Sequence, residues 1–338
     1  MRKLVLLLVC AFLPLPAVGQ TTLNGAGATF PYPMYSKWFS EYHKAHPEVQ
    51  INYQSIGSGG GIRQVTEATV DFGASDMPMT DEQLKVAQAK LGTKVLNVPT
   101  VLGADVPAYN IPGVNTELKF TPEILAGIFL GHITNWSDAA IAKVNPDVKL
   151  PNQEIIVVHR SDGSGTTFIW TDYLSKVSPE WKAQVGAGTS VNWPKGLGGK
   201  GNEGVTGSIR QLPGTLGYVE LIYAVQNKIA YGSVRNSAGE FVKATLDSVT
   251  AAAGSVAKMP ADFRVSITNA PGKDAYPISS FTWLLVPTQA TDPARGKILA
   301  GFLNWMVSDG QTMTGSLSYA PLPQNVAAKV KETIKQVK

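Results

Sequence analysis

The sequence predicts an α/β fold with a mostly parallel sheet, divided over two domains. Short apolar strands alternate with amphipathic helices along much of the chain, an order that is typical of parallel sheets. The chain has 338 residues, 44% hydrophobic and 16% charged, so it is long enough to bury two cores. Pro99, Gly103 and Pro107 lie in or near residues 100–104. Proline and glycine often interrupt secondary structure, so these residues indicate a crossing between domains.

Residues 1–19 have the features of a secretory signal peptide. Arg2 and Lys3 precede a short apolar run at residues 4–13, and Ala17-Val18-Gly19 offers the small residues of a cleavage site. The apolar run is too short to span a bilayer. We therefore expect the mature chain to begin at Gln20 and to be secreted into the periplasm.

Charge and cysteine content exclude several classes of function. The formal net charge is +4, and loss of Arg2 and Lys3 with the leader leaves +2. That weak charge, without a basic run interleaved with aromatic residues, argues against nucleic acid as a partner. The only cysteine, Cys10, lies in the leader after Val9, a context that does not favour lipidation. A mature chain without cysteine has no disulfide and no thiolate metal site.

The first predicted unit is a strand starting at residues 22–23, a loop at residues 25–30 and a helix opened by Pro31. The two glycines of the loop match part of a dinucleotide-binding fingerprint, but Phe30 stands where its third glycine belongs. An exported chain would also be separated from cytoplasmic NAD. We interpret the glycines as letting the backbone N–H groups of Thr29 and Phe30 face a ligand.

The same arrangement repeats twice. A strand at residues 51–53 leads to a glycine-rich loop that contains Ser58, and a strand at residues 70–76 ends at Asp76. Ligands of parallel sheets lie beyond the carboxyl ends of the strands, where Thr29, Ser58 and Asp76 all fall. Each residue alone is more simply a helix cap or a turn residue. Three such residues at equivalent places favour a shared ligand.

The later elements follow from capping signals and hydrophobic periodicity. They are a helix after Thr80 with a capping box to Gln83, a strand at 95–98, a helix opened by Thr121-Pro122, a strand at 155–158, a helix at 169–177, a turn and strand at 214–219, a strand at 280–286, a helix at 299–306 and a last amphipathic helix at 325–337. Residues 248–265 are weakly patterned, and we expect them to be peripheral.

A polar loop at residues 159–168 joins the strand at 155–158 to the following helix. Arg160 supplies a planar fork that matches two oxygens of a phosphate or carboxylate, and Asp162 is close enough to orient it. Ser164 and Thr166 add hydroxyl donors at the start of the helix, where free N–H groups attract anions. The alternative is an ordinary turn with a Ser/Thr cap and a surface arginine.

Catalytic and metal-binding alternatives have weaker support. His43 and His46 share a helix face, but they lie at its charged end, so we expect a solvated pair rather than a metal site. His159 more simply ends its strand than contacts a ligand. No Gly-x-Ser-x-Gly elbow occurs, and no motif supplies Ser164 with a general base. The glycine-rich run at residues 193–202 lacks the Gly-Lys-Ser/Thr ending of a nucleotide P-loop.

Six segments together resemble one known family. They are Gly-Ala-Gly-Ala-Thr-Phe-Pro at 25–31, Ile-Gly-Ser at 56–58, Val-Asp-Phe-Gly-Ala-Ser-Asp at 70–76, Arg-x-Asp-Gly-Ser-Gly-Thr at 160–166, Trp-Pro-x-Gly-Leu-Gly-Gly-Lys-Gly-Asn at 193–202 and Leu-Pro-Gly-x-x-Gly-Tyr-Val-Glu at 212–220. Over nearly the whole mature chain, the sequence resembles the periplasmic phosphate-binding proteins of ABC-type phosphate transporters.

The resemblance implies a two-lobed periplasmic-binding-protein fold of type II, which closes about a hinge on a ligand in the cleft. Lobe I would comprise residues 20–102 and 277–338, and lobe II residues 103–276. It also implies a monomer that binds inorganic phosphate and passes it to ABC transporter permease subunits with their ATPase, without catalysis, cofactor or metal. The implied contacts are Thr29, Phe30, Ser58, Asp76, Arg160, Ser164, Gly165 and Thr166, with Asp162 supporting Arg160.

Two departures from the family pattern leave these contacts in place. Gly59 stands where a second serine is common, and His159 stands where a basic residue often precedes the arginine. The remaining alternatives are binding of another tetrahedral oxyanion such as sulfate, and a phosphoryl-handling hydrolase. Asp76 favours phosphate over sulfate, because a carboxylate accepts a hydrogen bond from a phosphate O–H and meets only lone pairs on sulfate.

Overall fold

The structure, a computed structural model, describes residues 20–114 and 116–338. The predicted signal peptide at residues 1–19 lies outside the described residues. Over the described part, the chain forms twelve β-strands, twelve α-helices and one 3₁₀ helix. No helix there combines the length and the apolar character that crossing a bilayer requires.

Strands and helices alternate along the chain, as the sequence predicts. The first elements are β1 (Thr21–Gly27), α1 (Tyr32–Ala45), β2 (Val49–Ser55), α2 (Ser58–Thr66), β3 (Phe72–Ser75), α3 (Asp81–Leu91), β4 (Val95–Asn110), β5 (Lys119–Phe120), α4 (Pro122–Leu130), α5 (Ala139–Val144), β6 (Ile156–Arg160) and α6 (Gly165–Val177). They are followed by α7 (Pro179–Gln184), β7 (Leu197–Gly199), α8 (Gly201–Gln211), β8 (Thr215–Glu220), α9 (Leu221–Gln226), β9 (Ala230–Tyr231), β10 (Ser233–Arg235), β11 (Phe241–Val242), α10 (Leu246–Gly254), β12 (Ser279–Pro287), α11 (Pro293–Met306), the 3₁₀ helix Asp309–Leu317 and α12 (Gln324–Ile334).

The main sheet has the strand order β2-β1-β3-β12-β4-β8-β6-β7, with β9 beside β4. Strand β1 pairs in parallel with β2 and β3, and β6 pairs in parallel with β8 and β7. The centre is antiparallel, which differs from the mostly parallel sheet we expected: β12 opposes β3 and β4, and β4 opposes β8. The pairing is antiparallel because β4 carries the chain from one side of the sheet to the other, whereas β12 carries it back. Strands β1–β3, β12 and the start of β4 lie on one side of the sheet, and the end of β4 with β6–β8 lies on the other.

The crossing predicted near residues 100–104 is a continuous strand rather than a loop. Ala104 of β4 pairs with Ser279 of β12, and the next residue, Asp105, pairs with Glu220 of β8. Pro99 lies inside β4, opposite the place where the register of β12 shifts. Proline has no N–H to donate, so an irregular pairing of this kind accommodates it.

Helix starts follow the capping signals of the sequence. Thr80 and Gln83 form the predicted capping box of α3, and the Thr121 side chain caps α4 ahead of Pro122. Ser164 caps α6, its Oγ accepting from the Thr167 N–H at 3.0 Å. The buried face of α1 is formed by the apolar residues predicted for it: Met34, Tyr35, Trp38, Phe39 and Tyr42.

The expectation that residues 248–265 are peripheral is wrong. Helix α10 begins with a capping box between Thr245 and Ser248, and Val249 is buried in its inner face. Phe263 is 1% exposed, and its carbonyl accepts a hydrogen bond from Trp283 Nε1 at 3.1 Å. The helix is short and rich in alanine, so its hydrophobic periodicity is weak although its inner face is packed.

Candidate anion-binding site

The residues predicted for the site meet in one buried place where the two lobes face each other. They come from the turn after β1, the start of α2, the end of β3, the end of β6 and the start of α6. Their side chains and backbone are enclosed, none being more than 3% exposed. The buried residues are Thr29, Phe30, Ser58, Asp76, Arg160, Ser164 and Thr166, and Gly165 is buried as well.

The structure is closed, with direct hydrogen bonds between the lobes. The Gly165 N–H donates to Ser58 Oγ at 3.0 Å, and the Gly59 N–H donates to the Gly163 carbonyl at 2.9 Å. A Cβ on Gly165 would lie 2.5 Å from the Cβ of Asp76, so only glycine permits this approach. Gly57, at φ 88°, faces Asp162 and Gly163 in the same seam.

The loop at residues 28–30 is held by three tyrosine hydroxyls. Tyr53 donates to the Ala28 carbonyl at 2.8 Å, Tyr223 to the Thr29 carbonyl at 2.6 Å and Tyr319 to the Phe30 carbonyl at 2.5 Å. These bonds turn the carbonyls of the loop toward the tyrosines. The Ala28 N–H donates to the Ala74 carbonyl at 3.0 Å, so the loop has one fixed conformation in which the N–H groups of Thr29 and Phe30 are left for another partner.

Several buried N–H groups at the site have no acceptor among the described residues, and those of Thr29, Phe30 and Thr166 are among them. Buried N–H groups without a partner are rare in folded proteins. Thr166 lies in the first turn of α6, where N–H groups have no intrahelical acceptor and attract negative charge. The two threonines are neighbours in space, since both contact Asn202. The site therefore presents a set of donors that fits an anion.

Arg160 is fixed by Asp162, as the sequence predicts. Its Nε donates to Asp162 Oδ1 at 2.8 Å and its Nη2 to Asp162 Oδ2 at 2.5 Å, while Nη1 donates to Thr166 Oγ1 at 3.1 Å. Burial opposes charge on Asp162, but the hydrogen bond and charge of Arg160 hold the pKa of Asp162 below its usual value. A guanidinium has five N–H donors, so two remain for a ligand.

Asp76 is a second acidic residue at the site, beside Asp162. Its Oδ1 accepts from Thr282 Oγ1 at 2.8 Å, and its Oδ2 is 3.5 Å from Ser58 Oγ. Burial raises the pKa of Asp76 to about 7, although the hydrogen bond from Thr282 and the charge of Arg160 act in the opposite direction. Asp76 thus has one oxygen that the protein holds by a hydrogen bond. Its other oxygen is only weakly bonded and can accept a hydrogen bond from a protonated ligand oxygen.

Asn202 also belongs to this site, and our reading of the sequence did not identify it as a contact. Its Nδ2 donates to Thr29 Oγ1 at 2.8 Å and to Thr166 Oγ1 at 3.1 Å. Asn202 follows β7, the parallel neighbour of β6, so its position at the carboxyl edge of the sheet was a signal for it. Thr282 lies within the antiparallel β12, where that rule gives no signal.

The histidines make other contacts. The His159 ring stacks on Trp193 with their centroids 4.8 Å apart, and its Nδ1 is 3.0 Å from the Arg160 carbonyl oxygen. Burial lowers the pKa of His159. His43 Nδ1 lies 2.6 Å from the Val49 carbonyl oxygen. His159 is therefore the last residue but one of β6, and its ring packs in an aromatic cluster.

Comparison with known proteins places this geometry in a family. Residues 16–310 match the model of the PBP superfamily domain. The chain is 46% identical over 320 residues to the phosphate-binding protein PstS of Xylella fastidiosa strain Temecula1, covering 93% of this chain and 86% of that protein. It is 45% identical over 333 residues to the phosphate-binding protein PstS of Pasteurella multocida, covering 98% and 95%.

A solved structure has the same fold. It is the phosphate-binding protein of Stenotrophomonas maltophilia, which superposes with a TM-score of 0.70 at 19% identity and covers 92% of this chain and 93% of that one. The family model and the relatives extend over most of the chain. The chain therefore belongs to the PBP superfamily and, within it, to the PstS family of phosphate-binding proteins.

Proposed function

We propose that this protein binds inorganic phosphate in the closed cleft and delivers it to an ABC-type phosphate importer. The observation that carries the proposal is the set of buried N–H groups without acceptors, those of Thr29, Phe30 and Thr166, beside a buried arginine. A small oxyanion would satisfy these donors together. The relatives of this chain in Xylella fastidiosa and Pasteurella multocida carry the name phosphate-binding protein.

We assign the phosphate contacts to the residues implied by the family motifs. The two remaining donors of Arg160 bind phosphate oxygens, and Asp162 holds the guanidinium in place. Ser164 caps α6 with its oxygen, so its proton remains available for the ligand. The proposed contacts are Thr29, Phe30, Ser58, Asp76, Arg160, Ser164, Gly165 and Thr166.

Asp76 is proposed to select phosphate over sulfate. Near neutral pH phosphate keeps at least one proton and sulfate has none. Thr282 bonds Oδ1 of Asp76, so Oδ2 would accept a hydrogen bond from the protonated oxygen of phosphate. A site built around such a hydrogen bond rejects the analogue that lacks it by roughly 10⁴–10⁵. The high pKa of Asp76 makes this discrimination depend on pH.

Ligand capture is proposed to proceed by closure of the two lobes. Lobe I comprises residues 20–102 and 277–338, and lobe II comprises residues 103–276. The change of partner of β4 between Ala104 and Asp105 supports this division. A ligand that touches both lobes binds the closed state better and shifts the population toward it. Opening at the permease would then release phosphate.

The remaining parts of the proposal concern the cellular setting. The leader at residues 1–19 would direct the chain to the periplasm, where it acts as a monomer with the importer's permease subunits and ATPase. The protein would bind without catalysis, since the hydroxyl of Ser164, the candidate nucleophile, has no hydrogen bond to a general base among the described residues and bonds only the Thr167 N–H.

Calorimetric titration with phosphate, and with sulfate and arsenate as competitors, tests the proposal. We expect tight phosphate binding at one site per chain, no displacement by sulfate at pH 8, and competition by arsenate. A phosphatase assay on the same preparation should show no turnover. Failure to bind phosphate, or tighter binding of sulfate, would contradict the proposal.

A further inference from the structure

The hydroxyl groups of Thr29 and Thr166 in the cleft have their acceptor positions already occupied. Thr29 Oγ1 accepts from Asn202 Nδ2 at 2.8 Å and from the Asn202 N–H at 3.2 Å. Thr166 Oγ1 accepts from Asn202 Nδ2 and from Arg160 Nη1, both at 3.1 Å. A hydroxyl oxygen has two lone pairs, so neither threonine can accept a further hydrogen bond. Each O–H proton is therefore left to donate.

Asn202 itself is oriented by the protein. Its Oδ1 accepts from the Glu220 N–H at 2.9 Å, so the amide cannot be flipped without losing this bond. Both hydrogens of Nδ2 are then directed at the two threonine oxygens. Asn202 is fully buried at the start of α8, a helix of 11 residues, and its side chain bridges Thr29 of the first lobe and Thr166 of the second.

Resting on the proposed function, we infer that Asn202 is a positioning residue that forces the hydroxyls of Thr29 and Thr166 to donate to the bound anion. It does so without contacting the anion itself. It also joins the lobes, so it assembles this part of the site only when the cleft closes. Asn202 thereby fixes which ligand atoms the site accepts: oxygens without protons opposite the two threonines, and a single protonated oxygen opposite Asp76.

The inference predicts a specific coupling between Asn202 and Thr29. Asn202→Asp keeps the oxygen that accepts from Glu220 but replaces the donor by a second acceptor. The Thr29 and Thr166 protons then turn toward that carboxylate and away from the ligand. Thr29→Val, which removes one hydroxyl, should cost roughly 10- to 100-fold in phosphate affinity in the wild-type background. In the Asn202→Asp background the same change should cost less than about twofold.

The experiment is a double-mutant cycle of Asn202→Asp and Thr29→Val, with phosphate Kd measured by calorimetry on the whole mature chain and the ligand-free Tm of each variant recorded. A second cycle uses Asn202→Ala, which removes the donor without adding charge, and here too the cost of Thr29→Val should fall. A merely structural Asn202 would lower Tm and affinity but leave the cost of Thr29→Val unchanged. If Thr29→Val costs the same phosphate affinity in every background while wild type binds phosphate, the inference is wrong and the proposed function stands. Wild type that binds no phosphate would overturn the proposed function and the inference with it.

Discussion

The backbone N–H of Gly165 donates across the cleft to the hydroxyl of Ser58 at 3.0 Å, and nothing larger than a hydrogen fits on the Gly165 Cα in this arrangement. The atoms that a Cβ would meet belong to Asp76 and Ser58, on the opposite lobe. The lobes can therefore close only if residue 165 has no side chain.

Gly165→Ala should block closure while leaving each lobe folded. The new Cβ would lie 2.5 Å from the Asp76 Cβ only when the lobes meet. We expect phosphate affinity to fall by at least 100-fold and small-angle scattering to show no compaction on adding phosphate, with Tm of the ligand-free protein unchanged. Gly207→Ala, with open space around its Cα, is the matched control and should bind normally. Normal compaction of the Gly165→Ala variant would refute this.

Arg160→Ala should weaken phosphate binding more than any single hydroxyl loss. It removes a charge-assisted contact worth about 2–5 kcal/mol in a desolvated site. Ser164→Ala should cost about 1–2 kcal/mol in binding, together with some stability from the lost cap of α6. Calorimetry on both variants, with the exposed Arg63→Ala as control, checks the order. If Ser164→Ala binds phosphate more weakly than Arg160→Ala does, our assignment of Arg160 as the stronger contact is wrong.

Asp76→Asn should relax the rejection of sulfate without abolishing phosphate binding. An amide donates to sulfate as well as accepting from phosphate, whereas the ionised carboxylate only accepts. We expect the ratio of sulfate to phosphate Kd, measured at pH 8 and constant salt, to fall by at least 100-fold. Asp147→Asn, an exposed aspartate, serves as control. If the variant rejects sulfate as well as wild type does, selectivity arises elsewhere.

Sulfate exclusion by the wild type should weaken as the pH falls through about 7, the value to which burial raises the pKa of Asp76. Below that pH the carboxyl is protonated and becomes a donor, while sulfate keeps its charge. Sulfate affinity should therefore rise between pH 8 and pH 5.5 in wild type and stay flat in Asp76→Asn. Titrations at constant ionic strength measure this, and a flat profile for wild type would exclude Asp76 as the titrating group.

Asp105 should make the protein less stable as the pH rises. Neither of its carboxyl oxygens has a hydrogen-bond partner among the described residues, and Glu220 lies opposite on β8. Burial, with the charges of Asp76 and Glu220, raises the pKa of Asp105 well above its usual value. The folded chain thus holds a proton that the unfolded chain loses above pH of about 4, and stability falls as the pH rises from there.

The test is Asp105→Asn, which cannot titrate. Between pH 5 and pH 8 its Tm should vary less than that of wild type. At pH 8 its Tm should be the higher of the two, by roughly 2 °C or more for each kcal/mol by which the substitution raises the free energy of unfolding. Asp147→Asn should follow wild type, because Asp147 is exposed. Parallel Tm curves for Asp105→Asn and wild type would show that Asp105 does not carry this pH dependence.

The sequence predicts most of the site because its residues follow strand ends or begin helices. Thr29, Ser58, Asp76 and Arg160 are marked by glycines, β-branched runs and caps close by in the chain. Thr282 is not, because it reaches Asp76 from the middle of an antiparallel strand 206 residues away. A contact of this kind depends on which strands become neighbours, and local pattern does not contain that information.

The same limit applies to the centre of the sheet. Alternation of strands and helices indicates parallel pairing, and β1–β3 and β6–β8 follow it. Residues 95–110 form one continuous strand, β4, although proline and glycine, here Pro99 and Gly103, usually interrupt a strand. Here the register shift of β12 accommodates Pro99, and Phe30 and Glu220 occupy the space beside Gly103.

The position of β12 between β3 and β4 has a consequence for how the chain folds. These two strands are complete by residue 110, but the strand that separates them begins at Ser279. Until it arrives, β3 and β4 are left with unpaired edges, which are prone to pair with other chains. Such long-range pairing slows folding. This side of the sheet thus becomes complete only after residues 279–287 have been made, and a truncated chain that ends before residue 279 would keep the facing edges of β3 and β4 unpaired.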